Sequence, residues 1–314
     1  MIVRWGVGAA VLALIAGVPW FGNELLIQFG INALIVASLA QSWNILGGFS
    51  GYASFGNSVF YGIGTYGTAI AMTEWGLPFW FGLTVGAVAA LVFALLLGWP
   101  ILRLRGPYFA IVTLGLSATM AAVISNLDIA GRNNGLVLPL TRSDALFYES
   151  SLALLVAATA IVAWIANSRF GMGLIAIRED EDAAATIGVN TTRLKLMALA
   201  LSALIAGVAG GIHAYWITFI DPASAFDITL DVRMVIMTMF GGPGTILGPV
   251  VGAFILSAIY EVLADTISTA AILFFGLVIL VAVMFLPRGL MDLGGGFRRL
   301  GWRYFTANIR ENRL

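Results

Sequence analysis

The chain has 314 residues, of which 60% are hydrophobic and 10% are charged, and its formal net charge is zero. Because globular domains carry about a quarter charged residues, this composition predicts an integral membrane protein without a large soluble domain. The absence of cysteine excludes disulfides and thiolate metal sites, and the presence of a single histidine excludes an HExxH zinc site.

Apolar stretches predict about ten membrane segments, since a helix needs about 20 mostly apolar residues to cross a bilayer. The first, residues 5–21, has no small-residue cleavage site after it and is interpreted as a retained span. The third, within residues 47–74, and the eighth, residues 228–240, are short or glycine-rich, and we predict that they are broken or partly re-entrant. The other spans are predicted at residues 25–46, 79–102, 108–126, 151–167, 194–219, 246–263 and 270–286.

The charged residues are distributed unevenly between the two sides that these segments define. Starting from an inner N-terminus, all but three of the 16 basic residues fall inside, and most of the acids fall outside. The positive-inside rule favours this orientation, so both termini and the polar segment 168–195 are expected in the cytoplasm. We interpret residues 1–287 as one transmembrane domain and residues 288–314 as a basic cytoplasmic tail.

The segment 168–195 is too polar for a bilayer, and it contains the only lysine, Lys195, and four consecutive acids. We predict a short helix that begins at residues 180–182, where acids interact favourably with the helix dipole, and ends at Gly188 in a left-handed conformation. Apolar residues alternate with charged ones before it, a pattern typical of a short helix that docks in a groove of another protein. A solvated connector between two spans is the alternative.

No motif for capturing energy is found in the chain. A P-loop needs a glycine-lysine pair followed by serine or threonine, whereas Lys195 follows Leu194. No carboxylate is predicted at the membrane centre as a proton relay, since the candidates are expected near the outer ends of spans. These candidates are Glu74, Asp231, Glu261 and Asp265. If the protein transports a solute, its energy is expected to come from another chain.

Two further polar positions are interpreted as structural. His213 is expected to be a buried, hydrogen-bonded side chain near the end of an apolar helix. The run Asn190-Thr191-Thr192 matches a glycosylation sequon, but it lies on the predicted cytoplasmic side and is interpreted as a cap of the seventh span through a threonine. No acid–base pair or activated nucleophile is visible, so an enzyme is not expected.

Two glycine clusters interrupt the predicted spans, the first within residues 47–67 and the second beginning with GGPG at Gly241. One interpretation is tight helix packing, because small residues let backbones approach in lipid. The other is a broken helix beside a polar translocation path. Both clusters follow a span that enters from outside, so we expect them to face one another. The residues predicted to line such a path are Gly47, Gly48, Ser50, Ser54, Gly56, Asn57, Gly62, Gly64, Gly241, Gly242 and Gly244.

Four runs resemble the LivM-type permeases of branched-chain amino acid ABC importers, in the same order and over nearly the whole chain. They are GGFSGYASFGNSVFYGIGTY, LRGPYFAIVTLG, FGMGLIAIREDEDAAATIGVNTTRLKLMALALSALIAGVAGG and MFGGPGTILGPVVGA. The third looks like the coupling loop of that family, with Glu179, Ala184 and Gly188 in matching positions. The residues predicted to couple to an ATPase are Gly171, Arg178, Glu179, Asp180, Glu181, Asp182, Ala184 and Gly188.

The resemblance implies an all-α, polytopic transmembrane helical bundle in the bacterial inner membrane. It implies a permease subunit of an ATP-driven importer, with ATP hydrolysis on partner chains and without a cofactor, metal or nucleic acid. The implied partners are a second related permease subunit, two cytoplasmic ATPase subunits, a periplasmic solute-binding protein and the lipid bilayer.

Branched-chain or related apolar amino acids are the small-molecule substrates that the resemblance implies. The chain departs from the family pattern at Thr65, at residues 132–134 and at residues 231–233. Permeases of the same type for urea, amides or aromatic acids are therefore the alternative. A self-sufficient channel or an ion-coupled carrier, in which segment 168–195 is only a connector, is the alternative from another class.

Overall fold

The computed structural model describes residues 23–140, 143–266, 277 and 289–291. The predicted first and tenth spans and the basic tail lie outside the described residues, apart from isolated positions. Within the described part the chain is almost entirely helical, and two short strands, β1 Leu136–Val137 and β2 Phe219–Ile220, pair antiparallel. The described part is therefore an all-α helical bundle, as predicted.

Eleven helices follow one another in the described part of the chain. They are α1 Glu24–Trp43, α2 Asn57–Thr73, α3 Phe79–Ile101, α4 Pro107–Ile124, α5 Asp144–Ala166, α6 Arg169–Glu179, α7 Glu181–Thr186, α8 Thr191–Ile217, α9 Pro222–Ala225, α10 Ile228–Gly241 and α11 Gly248–Thr266. A π-helical turn, Asn44–Gly48, extends α1, and two 3-10 turns, Asp128–Ala130 and Arg132–Asn134, precede β1.

Five helices in the described residues are long and apolar enough to cross a membrane: α1 with its π-helical turn, α3, α4, α5 and α8. The helices α2 and α10 are shorter, which agrees with the short third and eighth segments that the sequence predicts. The count of ten segments is not reached in this part of the chain and stays a prediction for the whole.

The centre of the bundle is formed by α2, α3 and α8, which approach closely because glycines face each other. A side chain at Gly64 of α2 would overlap the Gly207 carbonyl group of α8. At Gly67, also in α2, a Cβ atom would lie 2.8 Å from the Cα atom of Gly86 in α3. Small residues allow this approach between helices in lipid. The later glycines of the first cluster therefore serve helix packing.

The helix α5 begins at Asp144, earlier than the predicted start at residue 151. The hydroxyl of Ser143 caps it by accepting a hydrogen bond from the backbone N–H of Leu146. Its first turns bury Phe147 and Tyr148 while Glu149 is exposed. The prediction assigned this stretch to a polar loop because it counted the charges without considering that a helix can expose Glu149 while it buries Phe147 and Tyr148.

The two ends of the bundle differ in charge. One end, called the basic end below, carries α6, α7, the α3–α4 connection with Arg103 and Arg105, and the start of α8 with Arg193 and Lys195. The other end carries β1, β2 and α9. The π-helical turn of α1 and Gly244, which follows α10, also lie at the basic end, next to Arg178.

Candidate functional site

The helix α7 forms where the consecutive acids predict it. The carboxylate of Asp180 caps the helix by accepting hydrogen bonds from the backbone N–H groups of Asp182 and Ala183, both at 2.9 Å. Gly188 follows the helix with a φ angle of +90°, in the left-handed region that favours glycine. The predicted short helix between residue 180 and Gly188 is confirmed.

The preceding helix, α6, was not predicted as a helix. The hydroxyl of Ser168 caps it by accepting from the backbone N–H of Gly171 at 3.2 Å. Leu174 and Ile177 are buried, and Phe170 is partly buried one turn earlier. This spacing of four and then three residues is the apolar face of an amphipathic helix. It is the sequence signal that identifies α6.

The only lysine in the chain ties α7 to the body of the protein. The Lys195 side chain is 2% exposed, and its ammonium group contacts the Glu181 carboxylate at 2.6 Å. It also donates to the hydroxyl of Tyr52 at 2.9 Å and to the carbonyl oxygen of Leu102 at 3.1 Å. Its three donors therefore have three acceptors, which a buried ammonium group needs. We call Lys195, Glu181 and Tyr52 the Lys195 cluster.

Glu181 was predicted to contact an ATPase, but its side chain points inward and is only 13% exposed. Burial alone would raise the pKa of the Glu181 carboxyl, but hydrogen bonds from Lys195 and Tyr52 and nearby positive charge outweigh it and lower the pKa. The carboxylate is therefore ionised at neutral pH. Its contribution to stability is lost only as the pH falls through this lowered pKa. Glu181 is a structural member of the Lys195 cluster.

Arg178, at the end of α6, lies between the two glycine clusters. Its Nη1 atom donates to the carbonyl oxygen of Gly48 at 3.1 Å, and its Nη2 atom contacts Glu179 at 3.3 Å. A Cβ atom at Gly244 would lie 3.1 Å from the same Nη1 atom. Arg178 therefore connects α6 to both broken regions of the chain.

The two glycine clusters contact each other at the basic end, as expected. The Asn44 side chain accepts from the backbone N–H of Gly244 at 2.8 Å and donates to the carbonyl oxygen of Thr245 at 3.0 Å. A Cβ atom at Gly48 would lie 2.6 Å from the Gly244 nitrogen atom. Gln41, one turn earlier in α1, donates to the carbonyl oxygen of Ile246 at 2.7 Å. The non-helical backbone after α10 is thus held by the side chains of α1.

The segment between the π-helical turn and α2, residues 51–56, is also non-helical. Asn57, at the start of α2, donates to the hydroxyls of Ser42 and Ser202 at 3.1 and 3.2 Å. Ser54 accepts from the indole nitrogen of Trp43 through its carbonyl oxygen at 2.7 Å. Unwound backbone at membrane depth needs such internal partners, because lipid offers none. This segment is therefore hydrogen-bonded within the protein, and Ser54 and Gly56 in it are buried.

The start of α2 depends on Asp231, which the sequence placed near an outer end. Asp231 does lie in the first turn of α10, but it is fully buried in the bundle. Its carboxylate accepts from the backbone N–H of Ser58 at 2.9 Å and from the Ser58 hydroxyl at 2.5 Å. The Ser58 hydroxyl also contacts Ser117, just past the middle of α4. A carboxylate from α10 thus caps α2 at its positive dipole end.

Replacing Asp231 with alanine is expected to destabilise the protein, because the buried donors at Ser58 would lose their acceptor. Each donor left unsatisfied costs about 1–3 kcal/mol. Thermal unfolding in detergent measures the loss, and Asp231→Asn, which keeps one acceptor oxygen, should unfold between the alanine variant and the wild type. Asp128→Ala, which removes an exposed acid, is the control. A wild-type melting temperature for Asp231→Ala would show that the cap contributes nothing.

The family model described as the branched-chain amino acid transport system permease component matches residues 25–285. The chain belongs to this permease family. It is 28% identical to the high-affinity branched-chain amino acid transport system permease protein LivM of Escherichia coli, over 90% of this chain and 74% of that protein. LivM of Salmonella typhimurium is 27% identical over the same shares. The predicted relationship to LivM-type permeases is confirmed.

A further relative belongs to a different import system. The autoinducer 2 import system permease protein LsrC of Yersinia pseudotuberculosis is 28% identical over 57% of this chain and 55% of that protein. No solved structure matches the chain. The family and the apolar helices make the protein a multi-pass membrane permease of an ABC transporter, and thus a transport subunit rather than an enzyme.

The eight residues predicted for ATPase coupling separate into two groups in this permease. The inward group is buried or bonded inside the protein and comprises Gly171, Ala184, Glu181 and, in part, Arg178. The exposed group comprises Glu179, Asp180, Asp182 and Gly188. The carboxylate of Asp180 is already used as the helix cap. The other exposed acids are Glu179, which contacts only the neighbouring Arg178, and Asp182, which pairs with the exposed Arg105 at 2.8 Å.

Exposed apolar side chains accompany these acids. Ile187 is 78% exposed at the end of α7, and Met172 and Ile175 are exposed on α6. We call these three residues, with Glu179 and Asp182, the α6–α7 face. Apolar side chains beside charges at the surface are typical of a protein contact rather than of a solvated connector.

Two smaller sequence interpretations are corrected in part. The cap of α8 is Asn190, whose side chain accepts from the backbone N–H of Arg193 at 3.0 Å, and not a threonine. His213 is hydrogen-bonded, as expected, through its Nδ1 atom and the Tyr61 hydroxyl. It is only partly buried, however, because it lines a cavity in the half of the bundle away from the basic end.

Proposed function

We propose that the chain is one of two permease subunits of an ATP-driven importer and that its α6–α7 face receives a cytoplasmic ATPase. The basic end then faces the cytoplasm, in agreement with the positive-inside rule. The only lysine is buried in the Lys195 cluster and belongs to no P-loop, which supports ATP hydrolysis on another chain. A second permease subunit and a periplasmic solute-binding protein complete the proposed complex.

The observation that carries this proposal is the direct bonding of α6 and α7 to the broken helices. The Lys195 cluster joins α7 to Tyr52, and Arg178 joins α6 to Gly48. Asn44 then joins that region to Gly244 after α10. A displacement of the α6–α7 face therefore moves both non-helical regions together. Because these two regions are not helical, the backbone can bend there without loss of helical hydrogen bonds.

The proposed alternation follows from this linkage. Closure of the ATPase pair pushes the α6–α7 face and, with it, the attached ends of α5 and α8. The contact between Asn44 and Gly244 then shifts, and the translocation path, half of which this subunit forms, changes from outward to inward access. Gly47, Gly48, Ser50, Ser54, Gly56 and Asn57 and the glycines at 241, 242 and 244 lie in the moving region.

Branched-chain or related apolar amino acids are the proposed substrates. The support is similarity to the two LivM proteins over 90% of the chain, whereas similarity to LsrC covers 57%. Import of urea, amides or aromatic acids by the same mechanism is the alternative, and substrate competition decides between them.

Reconstitution of the purified chain tests the proposal. We expect no leucine uptake into proteoliposomes by this chain alone, and ATP-dependent uptake when the second permease, the ATPases and the binding protein are added. A matched assembly with an ATPase that cannot hydrolyse ATP is the control. Uptake by the chain alone without ATP would overturn the proposal in favour of a self-sufficient channel or an ion-coupled carrier.

A further inference from the structure

A cavity of about 160 Å³ lies in the half of the bundle away from the basic end, between α1, α2, α8 and α10. An engineered cavity of about 150 Å³ is known to accept benzene, so this volume suits a molecule of amino-acid size rather than a larger compound. None of the residues predicted to line a path belongs to its lining. The cavity is thus a feature that the sequence did not reveal.

The lining combines one acid and one base with further polar and apolar side chains; the further polar residues are Asn32, Tyr61, His213, Ser224 and Thr229. Asp227 and Arg233, both near the start of α10, line the cavity together with Ile35, Val36 and Leu39 of α1. A site with one negative and one positive side chain favours a ligand that carries both charges over a simple anion or cation. A few placed charged and polar groups beside apolar side chains are typical of a small-molecule site.

Both charged side chains are fixed by neighbours. The carboxylate of Asp227 accepts from the backbone N–H of Thr229 at 2.8 Å as the cap of α10. The guanidinium of Arg233 donates to the Tyr260 hydroxyl at 3.2 Å and stacks on that ring, with 4.7 Å between Cζ and the ring centroid. Such anchoring keeps the two charges at set positions, so that a ligand orders few side chains when it binds.

The cavity is also connected to the coupling machinery. It lies between α1 and α10, the same helices whose other ends meet where Asn44 binds Gly244. Between these places, the Thr238 hydroxyl of α10 donates to the carbonyl oxygen of Ala40 in α1 at 3.1 Å. A change at the basic end that separates α1 from α10 therefore reaches the cavity.

We propose that this cavity is a binding site for zwitterionic amino acids with small apolar side chains. The ammonium group faces Asp227, the carboxylate faces Arg233, and the side chain packs against Ile35, Val36 and Leu39. This inference rests on the proposed function, because it places the cavity on the route by which the solute crosses the permease. It adds that the permease itself, and not only a binding protein, recognises the solute.

Equilibrium binding to the full-length chain in nanodiscs, without ATP or partner subunits, tests this site. The probes are leucine, 4-methyl-2-oxopentanoate, which lacks the ammonium group, and 3-methylbutylamine, which lacks the carboxylate. We expect leucine to bind about tenfold more tightly than either analogue, a difference that corresponds to one lost charged contact. Equal binding of leucine and both analogues, or no binding of leucine, would overturn the inference.

Two variants test whether Asp227 binds the ammonium group of the ligand and Arg233 its carboxylate. Asp227→Asn should weaken leucine about tenfold and leave the oxo acid unchanged, and asparagine still caps a helix well. Arg233→Gln should weaken leucine and leave the amine unchanged. Asp221→Asn, at the cap of the neighbouring α9 and outside the cavity lining, is the matched control. Wild-type leucine binding by Asp227→Asn contradicts the assignment.

Failure of this site and failure of the proposed function give different results. A chain that binds no leucine but supports ATP-dependent uptake in the complete complex refutes the site and keeps the function. A chain that binds leucine as expected but transports it without ATP refutes the function and keeps the site.

Discussion

Replacement of Lys195 with methionine is expected to destabilise the permease and to abolish ATP-driven uptake. The change leaves the Glu181 carboxylate, which is 13% exposed, without its buried cationic partner and with only the exposed Arg105 at 3.8 Å. Breaking a buried ion pair costs about 3 kcal/mol at the lower end of the observed range, and the partial exposure of Glu181 favours that end. The helix α7 should then detach from residues 51–56. Thermal unfolding and limited proteolysis of the α6–α7 region measure the two effects.

A double variant separates the effect of the unpaired Glu181 charge from the effect of the lost attachment of α7. Apolar side chains of similar size often replace a buried ion pair without loss of stability, so Lys195→Met combined with Glu181→Leu should recover most of the lost stability. Arg105→Met is the matched control, since Arg105 pairs with Asp182 and Glu181 on the exposed side. It should change stability little, because exposed ion pairs are weak. Wild-type unfolding of Lys195→Met would show that the Lys195 cluster does not hold α7.

Replacement of Glu179 with lysine is expected to uncouple ATP hydrolysis from uptake. Glu179 is 72% exposed on the α6–α7 face, and its reversal places a positive charge where the face presents acids. Like charges brought together across an interface cost several kcal/mol, so uptake should fall at least about tenfold. The amount of protein in the membrane should be unchanged, since the side chain has no buried contact. Uptake and ATPase activity of the reconstituted complex measure the uncoupling.

A second charge reversal tests whether the location matters. Glu149→Lys reverses an exposed acid in α5, away from the basic end, and should leave coupling unchanged. If Glu179→Lys transports as the wild type does, the α6–α7 face is not where the ATPase docks. If both variants lose uptake to the same degree, the effect is general electrostatics and the docking proposal is again contradicted.

The spans were the easiest part of the fold to predict. Predicted and observed bounds of α3 agree within one residue, from Phe79 to Ile101, because a long apolar run has few alternatives in a membrane. The start of α5 was missed because Glu149 was interpreted as part of a polar loop. Only the helical periodicity of the stretch shows that Glu149 lies on the exposed face of a helix. The helix α6 was missed for the same reason.

The candidate site was only partly predictable. The cap at Asp180 and the stop at Gly188 are local signals, and they identified α7 correctly. The inward orientation of Glu181 was not predictable, because its partner Tyr52 is 129 residues away and Lys195 lies on another helix. The burial of Asp231 was not predictable either, since its partner Ser58 is 173 residues away. Tertiary contacts decide which acids of a polar stretch stay at the surface.

The capping of α2 by Asp231 has a consequence for biosynthesis. The backbone N–H of Ser58 is buried inside the bundle, and its acceptor is the Asp231 carboxylate. Its acceptor is made much later, when the ribosome reaches α10. The early half of the nascent permease therefore cannot reach its final fold before the late half has entered the bilayer. Translation that stops short of residue 231 leaves an intermediate that quality control should recognise.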